Sequence, residues 1–112
     1  MSIRLEKPWL PLDEAQVSRL RGELGVFQIA DAAGELIFIG YAGGRSLFGL
    51  RGELEAWLRR SGDKAHRFRV EVTSQYLSRF EELLMIHKAD FGGLPRENLA
   101  ERTRKIGRLS PG

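Results

Sequence analysis

The sequence predicts an α+β protein, a small antiparallel sheet of three strands with helices packed against it. Three observations carry that expectation. Two β-rich runs, residues 26–30 and 36–39, flank a turn sequence that ends in glycine. A third run, residues 66–72, alternates polar and apolar side chains as a half-buried strand does. Between and after these runs, apolar residues recur at three- and four-residue intervals, the spacing of one helix face.

The elements follow in order. Asp13-Glu14-Ala15-Gln16 places a capping side chain three residues before a glutamine, with Val17 and Leu20 at helical spacing and Gly22 as a stop. Asp31-Ala32-Ala33-Gly34 joins the first two strands, its glycine suited to positive φ. Gly40-Tyr41-Ala42-Gly43-Gly44-Arg45 holds three glycines in five positions and reads as an irregular loop. Ser46 is a candidate cap, and Leu47, Leu50, Leu54, Trp57 and Leu58 form an amphipathic stripe ending near Ser61-Gly62-Asp63. From residue 75 to about 90, Leu77, Phe80, Leu83, Leu84, Met85 and Ile86 predict a core helix, interrupted at Phe91-Gly92-Gly93-Leu94-Pro95. Residues 98–106 suit a short, highly charged terminal helix. Three strands need such helical cover to be stable.

Composition bounds the class of protein. A chain of 112 residues supports one modest core, and 42% hydrophobic with 29% charged residues is the balance of a soluble globular protein. No apolar run approaches the ~20 residues of a membrane helix. Residues 1–9 lack the features of a signal or transit peptide, so the expectation is a cytoplasmic protein without a membrane. With no cysteine there is no disulfide or thiolate nucleophile, and with two histidines any metal would be a hard cation on carboxylates. The net charge of +3 resides in residues 96–112, where five basic residues face two acidic ones. That segment reads either as a cationic arm for a phosphate backbone or as a solvated tail. Trp57 falls on the apolar stripe, and Trp9, between Lys7-Pro8 and Pro11, suits a clip for the amino-terminal segment.

The glycine-anchored pair Gly25-Val26-Phe27 and Phe38-Ile39-Gly40 resembles the motif of the GIY-YIG nuclease superfamily. Members of that superfamily follow the two strands with a helix, a third strand, a helix bearing a glutamate, and a proline-containing turn that reaches an asparagine. The matching parts here are residues 50–58, residues 68–72, Glu82 and Pro95-Arg96-Glu97-Asn98. The resemblance spans residues 25–98, with residues 1–24 as an amino-terminal segment and 99–112 as a basic carboxy-terminal one. It implies a GIY-YIG-like fold, a phosphodiesterase ancestry, and a magnesium-like ion held by Glu82, with Glu81 as the neighbouring alternative.

The chain departs from the superfamily at its chemistry. Both motif tyrosines are phenylalanines, Phe27 and Phe38, which keep ring packing and lose the hydroxyl that positions a water. In Leu50-Arg51-Gly52-Glu53-Leu54 the position of the motif arginine holds Glu53, a reversal that repels phosphate. Arg51 lies about 200° round the helix from it. Tyr41 and Arg45 are the candidate replacements for the lost groups. The reading is therefore a nucleic-acid-binding domain, for DNA before RNA, on a nuclease-like scaffold with cleavage weakened or lost. Arg45, Arg51, Asn98, Arg102, Arg104 and Lys105 are its expected contacts. One alternative is a Mg2+- or Mn2+-dependent endonuclease, a phosphodiester hydrolase with Glu82 on the metal and Tyr41 and Arg45 at the reacting phosphate. The other is a protein-interaction or structural domain that keeps only the fold and binds a protein partner.

Overall fold

The computed structural model describes the backbone of residues 4–109 and the side chains of residues 4–102. The elements are β1 (Leu10–Pro11), α1 (Glu14–Val17), β2 (Gly25–Ala30), β3 (Leu36–Ala42), α2 (Gly49–Ser61), β4 (Arg67–Val72), α3 (Tyr76–Phe91) and α4 (Arg96–Leu109). The fold is α+β, but the antiparallel sheet has four strands in the order β1-β4-β2-β3, which corrects the expected three. The added strand is short, with Leu10 and Pro11 opposite Phe68 and Arg67. Two residues carry no periodicity, and a proline reads as a strand breaker although a sheet edge tolerates it. Among the described residues no helix is long and apolar enough to cross a membrane.

Local chemistry explains the hairpin. The Asp31 carboxylate accepts hydrogen bonds from the N–H groups of Ala33 and Glu35 at 3.0 and 2.9 Å, and Gly34 takes φ of 89°. The Glu35 N–H is the main influence that lowers the Asp31 pKa below its ordinary value. One residue farther on, Ile29 pairs with Phe38 but Ala30 with Leu36, so Ile37 is a bulge. The bulge turns Ile37 and Phe38 to the same side, into the cluster of Leu12, Val17, Phe27, Ile29, Leu50, Leu54, Trp57 and Phe68. Leu36 and Ile39 join the opposite cluster with Leu5, Val26 and Leu83.

Several boundaries differ from the sequence reading. α1 is only four residues long, although Asp13 caps it as expected by accepting from the Gln16 N–H at 2.8 Å. Gly40, Tyr41 and Ala42 continue β3 instead of opening a loop, because their strand register with Phe27, Val26 and Gly25 holds to the end. Ser46 does not cap α2. Its hydroxyl accepts from the Gly43 N–H at 3.0 Å, and the helix starts at Gly49 behind Phe48, which has φ of 62°. The first N–H groups of α2 are met from outside the helix, Leu50 by the Glu23 carbonyl at 2.8 Å and Arg51 by the Arg21 carbonyl at 3.3 Å. Gly49 permits that approach, since a Cβ there would lie 2.4 Å from the Gly22 carbonyl carbon. Leu47 consequently falls off the stripe and is exposed, while Leu50, Leu54 and Trp57 are buried.

α3 meets the sheet along one line. Leu83 is buried and Phe80, Leu84 and Ile86 are partly so, but Leu77 and Met85 face outward, which corrects the expectation of a helix buried all along. Val72 at the end of β4 is likewise exposed. α4 begins at Arg96, two residues earlier than expected, directly after the buried Pro95. It runs beside β3, and the side chain of Asn98 reproduces a strand's pairing there. Its Oδ1 accepts from the Ile39 N–H at 2.9 Å and its Nδ2 donates to the Ile39 carbonyl at 2.8 Å.

Two stability predictions follow from these contacts. A Cβ at Gly40 would lie 2.5 Å from Cζ of Phe27 and 2.7 Å from Cε2 of Phe38. Gly40→Ala should cost about 1–3 kcal/mol, read as a lower urea midpoint at unchanged slope. Asn98→Ala leaves both backbone groups of Ile39 without a side-chain partner and should cost about 2 kcal/mol in the same assay.

Candidate functional site

A cleft of about 1060 Å3 runs along β3, with α2 on one side, α3 on the other and the start of α4 beside them. Its floor includes the buried rings of Phe27 and Phe38, whose centroids are 5.9 Å apart, and Phe38 packs on Trp57 at 4.9 Å. Strand alternation puts Tyr41 on the α3 side, 39% exposed. Its ring stacks on Tyr76 at 5.7 Å with 14° between the planes, and Phe80 closes from below at 4.9 Å. The Tyr76 hydroxyl accepts from the Gly44 N–H at 3.2 Å, which ties the glycine loop to α3. A Cβ at Gly43 would come within 2.7 Å of the Tyr76 ring, so that loop approaches only because the residue is glycine.

The residues singled out in the sequence fall into three sets: those that line the cleft, those outside it, and those whose side chains lie outside the described residues. Tyr41, Arg45, Asn98 and Arg102 line this cleft together with Phe27, Phe38 and Glu53. Arg45 and Arg102 are exposed, and neither makes an ion pair with a described residue. Asn98 lines the wall, but both polar atoms of its amide bond Ile39, so it acts as a structural brace. Arg51 lies outside the cleft and pairs with Glu55 at 3.6 Å. Arg104 and Lys105 are on α4 with side chains outside the described residues.

Glu82 is not among the cleft residues. It follows Phe80 by two positions, about 200° round the helix, and so leaves the cleft face. Its carboxylate pairs with Arg79, which also holds Glu71 of β4 at 2.8 Å. These two hydrogen-bonded carboxylates, Glu71 foremost, raise the Arg79 pKa above its ordinary value. Glu81 is exposed beside it. Among the described residues no group of three or more histidines, aspartates or glutamates converges as metal ligands. With Arg79 on the Glu82 carboxylate, the residues present do not fit a resident Mg2+ or Mn2+ at that position.

The cleft's own carboxylates were not apparent as a pair. Glu53 sits half-buried on α2, and Glu101 of α4 faces it from 48 positions along the chain. Tyr76 and Arg60 also line the cleft, as does Phe80, which the sequence marks only as part of the apolar set of α3. Arg60 is engaged, lying 4.3 Å above the Trp57 ring and 2.7 Å from Glu97. Burial is the largest influence on Glu53 and pushes its pKa up; the Ser46 hydroxyl opposes this and Glu101 adds to it. A carboxyl with a raised folded pKa is best accommodated protonated, so stability is lost as pH rises through that value. Glu53→Gln should therefore raise the unfolding midpoint at pH 7, with the advantage vanishing below the usual carboxylate range, about pH 4, in a pH series of urea melts.

The family comparison matches residues 3–90 to one family model, described as a domain of unknown function (DUF7508). No curated protein and no solved structure matches the chain. The matched span includes the whole sheet and the cleft walls from α2 and α3, while Asn98, Glu101 and Arg102 lie beyond it. Since the match takes in most of the 112 residues, the chain belongs to the DUF7508 family.

Proposed function

We propose that this chain is a nucleic-acid-binding domain on a GIY-YIG nuclease-like scaffold, with phosphodiesterase activity weakened or lost. The observation that carries the reading is the exposed Tyr41 stacked on Tyr76 with Arg45 and Arg102 at the same cleft, free of ion pairs among the described residues. Aromatic faces take unpaired bases at roughly 1–3 kcal/mol each, and arginines displace counterions from phosphates. The element order supports the scaffold likeness: a glycine-anchored hairpin, a helix, a strand, a glutamate-bearing helix, then a proline turn reaching Asn98.

The same cleft argues against efficient hydrolysis. Phe27 and Phe38 bring no hydroxyl, and Glu53 places a carboxylate where a phosphate-binding cation would be needed. Its arginines Arg45 and Arg102 are exposed while Glu53 is half-buried, so an anionic backbone is attracted to the rim and repelled from the interior. A second reading, docking of a protein partner, draws on Leu47 and Phe48, 76% and 70% exposed beside the cleft.

Fluorescence anisotropy with duplex DNA, single-stranded DNA and RNA at several salt concentrations, with Mg2+ present, tests these readings. Binding without strand loss is expected, steeply weakened by salt. Replacing Arg45 and Arg102 by Ala should flatten the log-log salt slope on duplex DNA by about 2, near 0.9 per lost phosphate contact. Absence of binding at low salt would overturn the proposal and favour the protein-partner reading. Cleavage that Tyr41→Phe abolishes would instead establish a working endonuclease.

A further inference from the structure

On the α3 face of the sheet, a second cleft of about 830 Å3 lies between the amino-terminal segment and α3, bordering the first at Ile39 and Leu94. Gln28 opens into it from the middle of β2, a polar side chain only 4% exposed in a strand otherwise made of glycine and apolar residues. Its Oε1 accepts from Nε of Arg69 at 2.7 Å, which fixes the orientation of the amide. Nε2 of Gln28 then points its two N–H groups where no described residue accepts them, and it is not sealed from solvent.

The direct contacts of Arg69 are likewise with neutral groups. Its guanidinium bonds Gln28, donates to the Lys7 carbonyl at 3.1 Å, and lies 4.1 Å above the Trp9 ring. It makes no ion pair with a described residue, although exposed Glu6 acts on it electrostatically. Burial lowers its pKa from the usual value, and the Glu6 carboxylate opposes that shift. Of the other charges at this cleft, Arg4 pairs with Asp90 at 2.8 Å and Arg96 with Glu35 at 2.5 Å and Asp31 at 3.3 Å, while the exposed Glu6 makes no ion pair with a described residue. His87 Nδ1 is taken by the Gly93 carbonyl at 2.7 Å.

Two adjacent groups with only donors to offer select an anion. The walls then select its body, since Leu36, Leu83, Ile86, Phe91 and Leu94 line the same space. We propose that this cleft binds a small apolar carboxylic acid, its carboxylate between the Arg69 guanidinium and the Gln28 amide and its hydrocarbon along α3. A planar carboxylate matches the fork of the guanidinium, and a hydrated phosphate would forfeit the apolar contact. The proposal stands apart from the nucleic-acid reading, which uses the β3 cleft.

Octanoate is the probe, with octanol, octylamine and inorganic phosphate as controls, followed through the Gln28 side-chain amide and Trp9 indole signals in 1H–15N spectra of the full chain. Octanoate should move both signals and saturate, with octanol weaker by about tenfold or more. Gln28→Glu keeps an acceptor for Arg69 and puts a negative charge where the ligand would sit. It should leave the unfolding midpoint unchanged or raised while weakening octanoate, read at Trp9, by about tenfold or more. Arg69→Lys keeps the charge without the fork and should also weaken it. No saturable shift with octanoate, equal binding of octanol, displacement of octanoate by phosphate, or undiminished binding to Gln28→Glu would each overturn the proposal.

Discussion

β2 is hydrogen-bonded on both edges and covered on both faces, and much of the molecule's arrangement follows from that enclosure. Gly25 pairs with Ala42 and with Val72, and every residue from there to Ala30 is buried. A Cβ at Gly25 would lie 2.2 Å from the Glu71 carbonyl oxygen, so the β2–β4 approach depends on its absence. With the centre closed, α2 must cover one face and α3 the other. Accessible space is left along β3, where the sheet ends.

An unpaired strand edge has to be satisfied or covered. Asn98 does this at Ile39 by presenting one donor and one acceptor, which joins α4 to the sheet at the wall of the cleft. Gly40 and Gly43 let aromatic rings approach the backbone closely, and the rings in turn shape the cleft floor and the Tyr41–Tyr76 stack. Packing and site are therefore built from the same residues. The half-buried Glu53 and the exposed Arg45 and Arg102 then set an electrostatic gradient from interior to rim.

The α3 face also shows how a buried polar residue becomes informative. In a strand of glycine and apolar residues, Gln28 would be costly to bury without partners. One end of its amide is met by Arg69 and the other opens to the second cleft, so both groups retain donors directed away from the core. Trp9 stacks under Arg69 and the Lys7 carbonyl binds it, which fastens the amino-terminal segment in the manner expected of a tryptophan flanked by prolines.

What could be read in the chain was what short-range chemistry governs. The Asp31–Gly34 turn, the Asp13 cap, the Leu50–Leu54–Trp57 stripe and the glycine stop after Ser61 all depend on neighbours within a few residues, and each is visible in order along the sequence. So was the α+β class. The fourth strand, the start of α2 and the outward faces of α3 escaped because their partners are distant: Phe68 for Leu10, Glu23 for Leu50, and the sheet itself for Leu83. In the cleft, Tyr41 and Arg45 stood out beside a glycine motif, whereas the facing of Glu53 and Glu101 and the pairing of Glu82 with Arg79 did not. Residue types determined which chemistries were available, the absence of thiols among them. Tertiary structure alone decided which groups share a cleft, because burial, ion pairing and long-range hydrogen bonds assign each side chain a partner that sequence spacing does not specify.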